Sequence, residues 1–311
     1  MYDWNDIRIF LAIARTGSAL AAARELRLNQ TTVTRRIDAL EHTLGATLFT
    51  RGARGSDLTE LGEALLPHAH VMEHAALALD GEAGRLHRDQ GGEIRVTAPE
   101  AIMATFVGTL TTRYREQHPN VRFDYVSAEH RLDLAMGEAD VAFRAGGELT
   151  GDTLVCLALP DIAWAVYGSA AYARRSGLPE SIDRLTGHSI IAYAGPITGM
   201  PHIKSFMAMV PGCEKVGTSN NVPNMAGMIR AGVGLGLLPC LVGDLQTDLI
   251  RCFMPPAGLI TPWWIVTSRE ANNLRRVRDF MVFSADQLRP LRGALGGKLD
   301  PAQTRAMIEG L

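Results

Sequence analysis

The sequence is poor in cysteine, in long apolar runs and in net charge, and each lack excludes a class of protein. Its four cysteines, Cys156, Cys213, Cys240 and Cys252, lie far apart without a CxxC spacing, so we expect reduced, mostly buried thiols. A redox-sensing thiol stays open as the alternative. No apolar stretch reaches the roughly 18 residues of a membrane span. The start, MYDWNDIRIF, lacks the basic and apolar regions of a signal peptide, so we expect a cytoplasmic protein without a membrane partner.

The 311 residues carry a formal net charge of −2, with 47% hydrophobic and 21% charged residues. This composition is ordinary for a soluble globular protein, and the length predicts about two domains. Bulk charge gives no sign of a nucleic-acid partner, so any such prediction must rest on local arrangement. Residues 24–55 provide one, because they hold six arginines against three acidic residues.

The beginning of the chain predicts two short helices. Apolar residues at helical spacing predict a first helix from about residue 5 to residue 16, which Gly17 ends. Ser18 is expected to cap a second helix. We expect that helix to bury three side chains, Leu20, Ala23 and Leu26.

A third helix follows a turn of only three residues, 27–29, and Asn29 is a favoured N-cap residue. The side chains of its expected buried stripe are Val33, Ile37, Leu40 and Leu44. The other face carries short polar side chains and arginines, which can bond base edges and phosphates in a DNA major groove about 12 Å wide. The residues expected to contact DNA from this helix are Gln30, Thr31, Thr32, Thr34, Arg35 and Arg36.

Two short β-like pieces, 47–51 and 56–59, come next, and glycines at both ends of their link permit a tight hairpin. Arg54 at its tip can reach phosphate or the minor groove. The alternative interpretation of this region is an ordinary three-helix bundle with a solvated polar face.

Residues 59–88 predict one long helix, whose apolar residues recur at the 4/3 spacing of a coiled-coil-like seam. That seam consists of Leu61, Leu65, Met72, Ala75, Leu79 and Leu86. Residues 89–92 are expected to break the helix as a domain linker. Beyond them, strand-like and helical stretches alternate, which predicts an α/β domain with a mostly parallel sheet. Helices are expected over 100–117 and 129–137, among other elements.

These segments together resemble the LysR-type transcriptional regulators. The run AAARELRLNQTTVTRRIDALEHTLGATLFTR, followed by LTELGEALLPHA, is similar to the winged helix-turn-helix and linker helix of that family. The stretches ADVAFRAG, MIRAGVGLGLLP and WWIVTSREANNLRRVRDFMVF are similar to parts of its effector domain. Arg51 and Arg54 match the wing. One departure is the Asn29-Gln30-Thr31-Thr32 opening, where the family more often has serines, and it can alter which bases are preferred.

The resemblance implies an α+β winged helix-turn-helix DNA-binding domain over 1–60 and a long linker and dimerisation helix over 61–90. It also implies a C-terminal α/β effector-binding domain over 91–295, built from two Rossmann-like subdomains like the type 2 periplasmic-binding proteins. Residues 296–311 are expected to form a flexible C-terminal tail. The implied subdomain bounds are 91–160 with 263–290 for subdomain I and 163–262 for subdomain II.

The partners that the resemblance implies are double-stranded DNA with an interrupted inverted repeat, a small-molecule effector, and further copies of the chain in a homodimer or homotetramer. RNA polymerase is a further candidate partner. The effector is expected between the subdomains, where strands end and helix N-termini suit carboxylates or phosphates. Arg144 is the best candidate for an anionic effector, with a salt bridge as its alternative role, whereas Glu100 can favour an amine or hydroxyl group.

The candidate effector-binding residues, each of which can instead serve only in a cap or turn, are Glu100, Ala101, Ile102, Ser127, Arg144, Tyr193, Ser219 and Asn220. The competing hypothesis is an enzyme or a solute-binding protein in which the N-terminal helices only assemble subunits. The sequence has no GxSxG or HExxH motif, and its histidines lack metal-site spacing with cysteines or acids. His70 and His74 stand four apart on a helix, a spacing that can chelate a metal, but we expect them at the surface of the linker helix. We therefore expect no enzymatic activity, no catalytic residue, no metal and no cofactor.

Overall fold

The computed structural model of the chain describes residues 2–52, 55–126, 132–146 and 153–311, and for residues 51, 52, 55, 74, 78 and 80–91 it describes the backbone alone. The chain divides into two compact units, unit 1 over Met1–Ala83 and unit 2 over Gly84–Leu311. Unit 1 begins with helices and a hairpin, and its elements are α1 (Trp4–Thr16), α2 (Ala19–Leu26), α3 (Gln30–Leu44), β1 (Phe49–Gly52), β2 (Gly55–Leu58) and the start of α4 (Glu60–Gly91).

The helices of unit 1 lie where the sequence predicts them, because local signals fix their ends. Ser18 caps α2 by accepting a hydrogen bond from the Ala21 N–H at 3.2 Å. Gly45 ends α3 in the left-handed conformation, which glycine adopts without strain. The buried side chains of the three helices and the wing base form one apolar core, which includes Phe10, Ala23, Val33, Ile37, Leu40 and Leu48.

The inward prediction for Leu20 is wrong, since this side chain is 48% exposed. The face of α2 that packs on the core consists of Ala19, Ala22, Ala23 and Leu26. Leu20 lies one position along the helix from Ala19, and a step of about 100° turns it towards solvent. The other two predicted residues of α2, Ala23 and Leu26, do pack inward.

The wing is the antiparallel hairpin of β1 and β2, paired from Phe49 with Leu58 to Gly52 with Gly55. The helix that follows, α4, continues to Gly91 with Pro67 inside it, so the predicted break over 89–92 occurs only at Gly92. Within the single chain its seam residues Met72 and Leu79 are 37% and 72% exposed.

Unit 2 alternates strands and helices, with short 3₁₀ turns at Ile182–Leu185, Gly195–Gly199 and Arg289–Leu291. Its elements after α4 are β3 (Glu93–Thr97), α5 (Glu100–Ile102), a π-helix (Met103–Val107), α6 (Gly108–Gln117), β4 (Arg122–Val126), β5 (Val141–Ala145), β6 (Leu154–Ala158), β7 (Ile162–Ser169), α7 (Ala170–Ser176), β8 (Ser189–Tyr193), α8 (Pro201–Met209), β9 (Glu214–Ser219), α9 (Val222–Arg230), β10 (Gly236–Pro239), α10 (Cys240–Gly243), β11 (Leu249–Arg251), β12 (Ile260–Thr261), β13 (Trp263–Ser268), α11 (Arg269–Asn272), α12 (Arg275–Leu288), α13 (Arg292–Leu295) and α14 (Pro301–Glu309).

The sheets of unit 2 are mixed, which corrects the prediction of a mostly parallel sheet. In the first sheet, of order β4-β3-β5-β13-β6, β3 is parallel to β4 and β5, but β13 is antiparallel to β5 and β6. In the second, β10, β11 and β12 are all antiparallel to β7, while β8 and β9 form a parallel pair beside it. Alternating side chains predict a strand and not its direction, so the sequence pattern could not reveal this.

Two predicted helices differ in the structure. The helix over 100–117 contains a π-helical stretch at its centre. The helix predicted over 129–137 is wrong for residues 132–137, which are not helical and include a turn over 134–137. Residues 129–131 lie outside the described residues. In that turn the Asp133 carboxylate accepts the N–H groups of Ala135 and Met136, a local bond that competes with helix formation.

Residues 292–311, which we call the docked segment, are folded against the rest of unit 2 and are not the flexible tail predicted over 296–311. Ile308 and Leu311 are buried in the core. Arg251 donates hydrogen bonds to the carbonyls of Gly297, at 2.9 Å, and Leu299. Arg305 in α14 donates to the carbonyl of Asp244 at 3.1 Å. The apolar residues of this segment recur too sparsely to predict burial from the sequence.

Candidate DNA interface and effector cleft

The polar face of α3 points away from the core of unit 1, as the sequence predicts. Gln30, Thr31 and Arg35 are exposed, while Thr32 and Thr34 are half-buried at the edge of this face. The opposite face is anchored by Val33, Ile37 and Leu40, which are buried. The face carries amide, hydroxyl and guanidinium groups, which can bond base edges and phosphates.

Arg36 differs from its neighbour Arg35 because its guanidinium is already paired within unit 1. Its Nη1 lies 2.9 Å from the Asp6 Oδ1 and 3.5 Å from the Asp3 Oδ2, both at the start of α1. This hydrogen bond to Asp6 raises the pKa of Arg36. Arg36 therefore ties α3 to α1, while Arg35 stays on the outer face.

The N-terminus of α3 has no side-chain cap, although Asn29 occupies the N-cap position. The N–H groups of Thr32 and Val33 donate to the Asn29 carbonyl. An uncapped helix N-terminus offers N–H groups and partial positive charge to an anion such as a phosphate. Of the predicted wing contacts, Arg51 lies in β1 with only its backbone described, and Arg54 lies outside the described residues.

In unit 2, several predicted effector residues meet at the junction of the two sheets. Tyr193 and Ser219 are register partners at the ends of the parallel strands β8 and β9, and Asn220 follows directly. The next helix, α9, lies beside α5, which consists of Glu100, Ala101 and Ile102. The structure therefore brings these predicted residues of both subdomains together, while Ser127 lies outside the described residues.

The side chains at this junction differ in their burial and in their hydrogen bonds. Tyr193 is buried, and burial raises the pKa of its hydroxyl. That hydroxyl donates to the Leu237 carbonyl at 3.0 Å, so the side chain forms part of the wall of the junction. The Ser219 hydroxyl donates to the Asn221 carbonyl at 2.9 Å. Ile102 is buried, whereas Glu100 and Asn220 are exposed. Among the predicted residues that the structure describes at the junction, the accessible polar groups are therefore the Glu100 carboxylate and the Asn220 amide.

Arg144 does not join this group. Alternation along β5 places it on the same face as Ala142, which belongs to a small separate core with Leu132, Leu134 and Val266. Its Nη2 donates to the Leu132 carbonyl at 2.7 Å. Arg144 lines a shallow cavity of about 320 Å³ whose other lining residues are Leu132, Asp133, Leu134, Ala135, Thr153 and Leu154.

A buried polar chain at the junction was not predicted from the sequence. The Trp164 Nε1 donates to the Thr261 hydroxyl at 2.7 Å, and that oxygen lies 3.0 Å from the His202 Nδ1. Because the indole can only donate, the Thr261 proton is free to go to His202, which then accepts as a neutral ring. Close by, a Cβ on Gly146 would lie 2.9 Å from the Met200 side chain, so the subdomains approach closely there. None of these residues forms a recognisable motif.

We expect unit 2 to lose stability as the pH falls below the usual pKa of histidine, because of His202. Burial lowers the pKa of His202 from 6.5 to about 4. Between those pH values His202 binds a proton in the unfolded chain but not in the folded one. The contribution of neutral His202 to the free energy of unfolding is therefore complete above pH 6.5, and it declines by up to about 1.4 kcal/mol per pH unit below that value. Urea unfolding at several pH values should show a shallower decline in His202→Gln, and parallel profiles for the two proteins would contradict this.

Other chemistry is scarce in the described part of the chain. The four cysteines are free, and burial raises the pKa of Cys240 and Cys252 to about 12, which keeps these thiols protonated and unreactive. Among the described residues, no cluster of His, Cys, Asp and Glu could hold a metal ion. None of the described helices has the length and apolar content that a membrane crossing requires.

Comparisons with known proteins agree with this division into two units. Residues 4–63 match a family described as bacterial regulatory helix-turn-helix proteins of the lysR family, and residues 87–289 match the LysR substrate binding domain. An HTH-type transcriptional regulator of Xanthomonas campestris is 34% identical over 191 residues, which cover 61% of this chain and 55% of that protein. CrgA of Neisseria meningitidis serogroup C is 29% identical over 62% of this chain and 64% of its own length. The chain therefore spans somewhat over half the length of these curated relatives.

Solved structures share the fold at low sequence identity. The structure of CrgA from Neisseria meningitidis has a TM-score of 0.53 at 22% identity and covers 93% of this chain and 99% of that one. Full-length CbnR in complex with its target DNA has a TM-score of 0.56 at 18% identity and covers 91% of this chain and 100% of that one.

Proposed function

Because the chain belongs to the LysR family, we propose that it is a sequence-specific DNA-binding transcriptional regulator switched by a small-molecule effector. The outward face of α3 is the observation that carries this proposal. Gln30, Thr31 and Arg35 are exposed there, on a helix whose other face is locked into a core. The matched relatives are named as transcriptional regulators, which favours this function over an enzyme.

In the proposed complex, α3 enters the major groove and Gln30 and Arg35 bond base edges. The half-buried Thr32 and Thr34 and the wing residues Arg51 and Arg54 serve phosphates or neighbouring edges. The uncapped N-terminus of α3 adds backbone N–H groups for a phosphate. Arg36 has a supporting role, since its guanidinium is held by Asp6.

We propose that the chain acts as a homodimer, or as a homotetramer built from dimers, on an interrupted inverted repeat. The exposed seam residues of α4 support this, because Met72, Ala75 and Leu79 lie on one face of the helix and present an apolar surface that a second helix can cover. RNA polymerase stays a further candidate partner for a chain that activates transcription.

We propose that the effector binds at the junction of α5 with Ser219 and Asn220, and that binding shifts the packing of the two subdomains. The anionic character expected from Arg144 has little support, because Arg144 lies in a different cavity and Glu100 would repel an anion. A polar metabolite with hydroxyl or amine groups suits the junction better. A screen for metabolites that raise the melting temperature of the full chain tests both classes, since ligand binding stabilises the folded state.

Replacing Arg35 by alanine is expected to weaken binding to a specific DNA site by about 1–3 kcal/mol, if the guanidinium forms a bidentate hydrogen bond with a base. The loss should be largest for the preferred base at one position, which a comparison of site variants by gel shift would reveal. Arg36→Ala is the matched control, because it should lower the melting temperature of unit 1 by removing the bond to Asp6. Equal loss of affinity for all DNA sequences in Arg35→Ala would assign Arg35 to a phosphate instead.

The proposed function itself is tested by selecting duplexes from random-sequence DNA with the full chain. A regulator should enrich an inverted repeat and bind it far more tightly than a scrambled duplex at the same salt concentration. A chain that enriches no sequence, or that binds all duplexes equally, would refute the proposal.

A further inference from the structure

We propose that Glu41 is a positioning residue that sets the wing against α3, and this inference rests on the proposed DNA-binding function. Its Oε1 accepts hydrogen bonds from two successive backbone N–H groups, those of Leu48 at 2.6 Å and Phe49 at 3.2 Å. These residues lead directly into β1, the first strand of the wing. A side chain of the helix that reads DNA thus holds the beginning of the hairpin that follows it.

The position of Glu41 within α3 is unfavourable for the helix itself. It lies near the C-terminus of a helix that ends at Leu44, where the helix dipole favours cations over anions. A carboxylate at a DNA-facing unit also adds charge of the same sign as the phosphates. The two hydrogen bonds to backbone N–H groups compensate, because an ionised acceptor forms stronger bonds than a neutral one. Their geometry, and not helix stability, accounts for a side chain of this length with an accepting oxygen here.

The other contacts of the wing tie it to different parts of unit 1. The Ser56 N–H donates to the Gly17 carbonyl, which anchors β2 to the turn between α1 and α2. Thr59 closes the base of the hairpin through the carbonyls of Leu48 and Thr47. Outside residues 51–55, whose side chains are not described, no other side chain of α3 has a hydrogen bond to the wing. Apolar packing of Leu48 and Phe49 also holds the wing, but among the described side chains of α3 Glu41 is the one that joins the wing by hydrogen bonds.

This arrangement has a distinct consequence for DNA binding. If α3 reads bases and the wing contacts backbone, both must reach the duplex at once, so a displaced wing should forfeit its phosphate contacts while α3 keeps its own. Each lost phosphate contact reduces the salt dependence of binding by about one unit of slope in a plot of log K against log salt. Loss of base contacts would leave that slope unchanged.

The test compares variants of the full chain on a duplex that the wild-type chain selects from random-sequence DNA. Glu41→Ala removes both hydrogen bonds, and Glu41→Asp keeps the charge but shortens the side chain by one methylene. Glu41→Gln retains the accepting oxygen. Asp38→Ala is the matched control, since it removes an exposed acid from the same helix. Affinity is measured from low to high salt, hydroxyl-radical footprints are recorded, and melting temperatures verify folding.

We expect Glu41→Ala and Glu41→Asp to bind roughly tenfold more weakly at low salt, with a slope reduced by about one and loss of the protections outside the α3 contacts. Glu41→Gln and Asp38→Ala should keep the wild-type slope and footprint. The inference is overturned if Glu41→Ala and Glu41→Asp retain that slope and footprint, or if Glu41→Gln is as defective as they are. A wild-type chain that selects no DNA would instead refute the proposed function.

Discussion

Replacing Arg251 by alanine is expected to lower the free energy of unfolding of unit 2 by about 3–5 kcal/mol. The Arg251 Nε lies 3.3 Å from the Asp244 Oδ1, and the two side chains are 4% and 0% exposed. Removing the guanidinium leaves a buried carboxylate whose remaining short contact is the Tyr167 hydroxyl at 2.6 Å. It also removes the donors that hold the carbonyls of Gly297 and Leu299. Against a typical total stability of about 5–15 kcal/mol, this is a large fraction.

The same subdomain offers a matched control in the pair of Arg230 and Asp248. Their atoms lie 2.7 Å apart, closer than in the buried pair, but their side chains are 54% and 51% exposed. Arg230→Ala should therefore cost less than about 1 kcal/mol. Urea unfolding of the full chain, followed by tryptophan fluorescence, compares the two variants, because Trp164, Trp263 and Trp264 all lie in unit 2. Similar losses in both would show that the burial of Arg251 does not determine its contribution.

Replacing Ser219 by tryptophan is expected to abolish the response to effector while leaving DNA binding intact. Ser219 is 7% exposed at the end of β9, and α9, which follows it, lies beside α5 of the other subdomain. A bulky ring there would fill the proposed cleft. The measurement is the rise in melting temperature caused by a metabolite that stabilises the wild-type chain, which should vanish in Ser219→Trp. Affinity for the selected duplex without effector should equal that of the wild type.

Ser219→Ala distinguishes two reasons why Ser219→Trp could lose the response, namely a cleft filled by the ring and the loss of the serine hydroxyl. It removes the hydroxyl that donates to the Asn221 carbonyl but adds no volume, so the melting-temperature response should persist. A weakened response would show that the hydroxyl itself contacts the ligand. Circular dichroism and the melting temperature without ligand verify that Ser219→Trp is folded. A full response in the folded Ser219→Trp variant would remove Ser219 from the effector site.

Local signals explain which features of the fold the sequence could predict. The ends of α2 and α3 depend on Ser18 and Gly45, which act on backbone groups within a few residues. The buried stripe of α3 follows from helical spacing alone, and it is confirmed at Val33, Ile37 and Leu40. These features need no knowledge of distant parts of the chain.

Features that depend on distant partners could not be predicted in this way. The side of the sheet on which Arg144 lies is set by the register of β5 with its neighbours, so its position at a strand end was a poor guide to its surroundings. Arg36 and Arg35 are adjacent in sequence, but only the fold shows that Asp6 lies within reach of one of them. The polar chain through Trp164, His202 and Thr261 joins residues from three separate elements.

The docked segment restricts how unit 2 can change shape. It leaves α12, binds Asp244 through Arg305, and returns to α6, where Arg113 donates to the Gly310 carbonyl at 3.1 Å. Asp244 and Arg113 belong to different proposed subdomains, so the docked segment connects the two by hydrogen bonds. A large rotation of one proposed subdomain relative to the other would have to break one of these hydrogen bonds. If an effector shifts the two subdomains as proposed, the shift must be small enough to keep these hydrogen bonds, or it must release the docked segment.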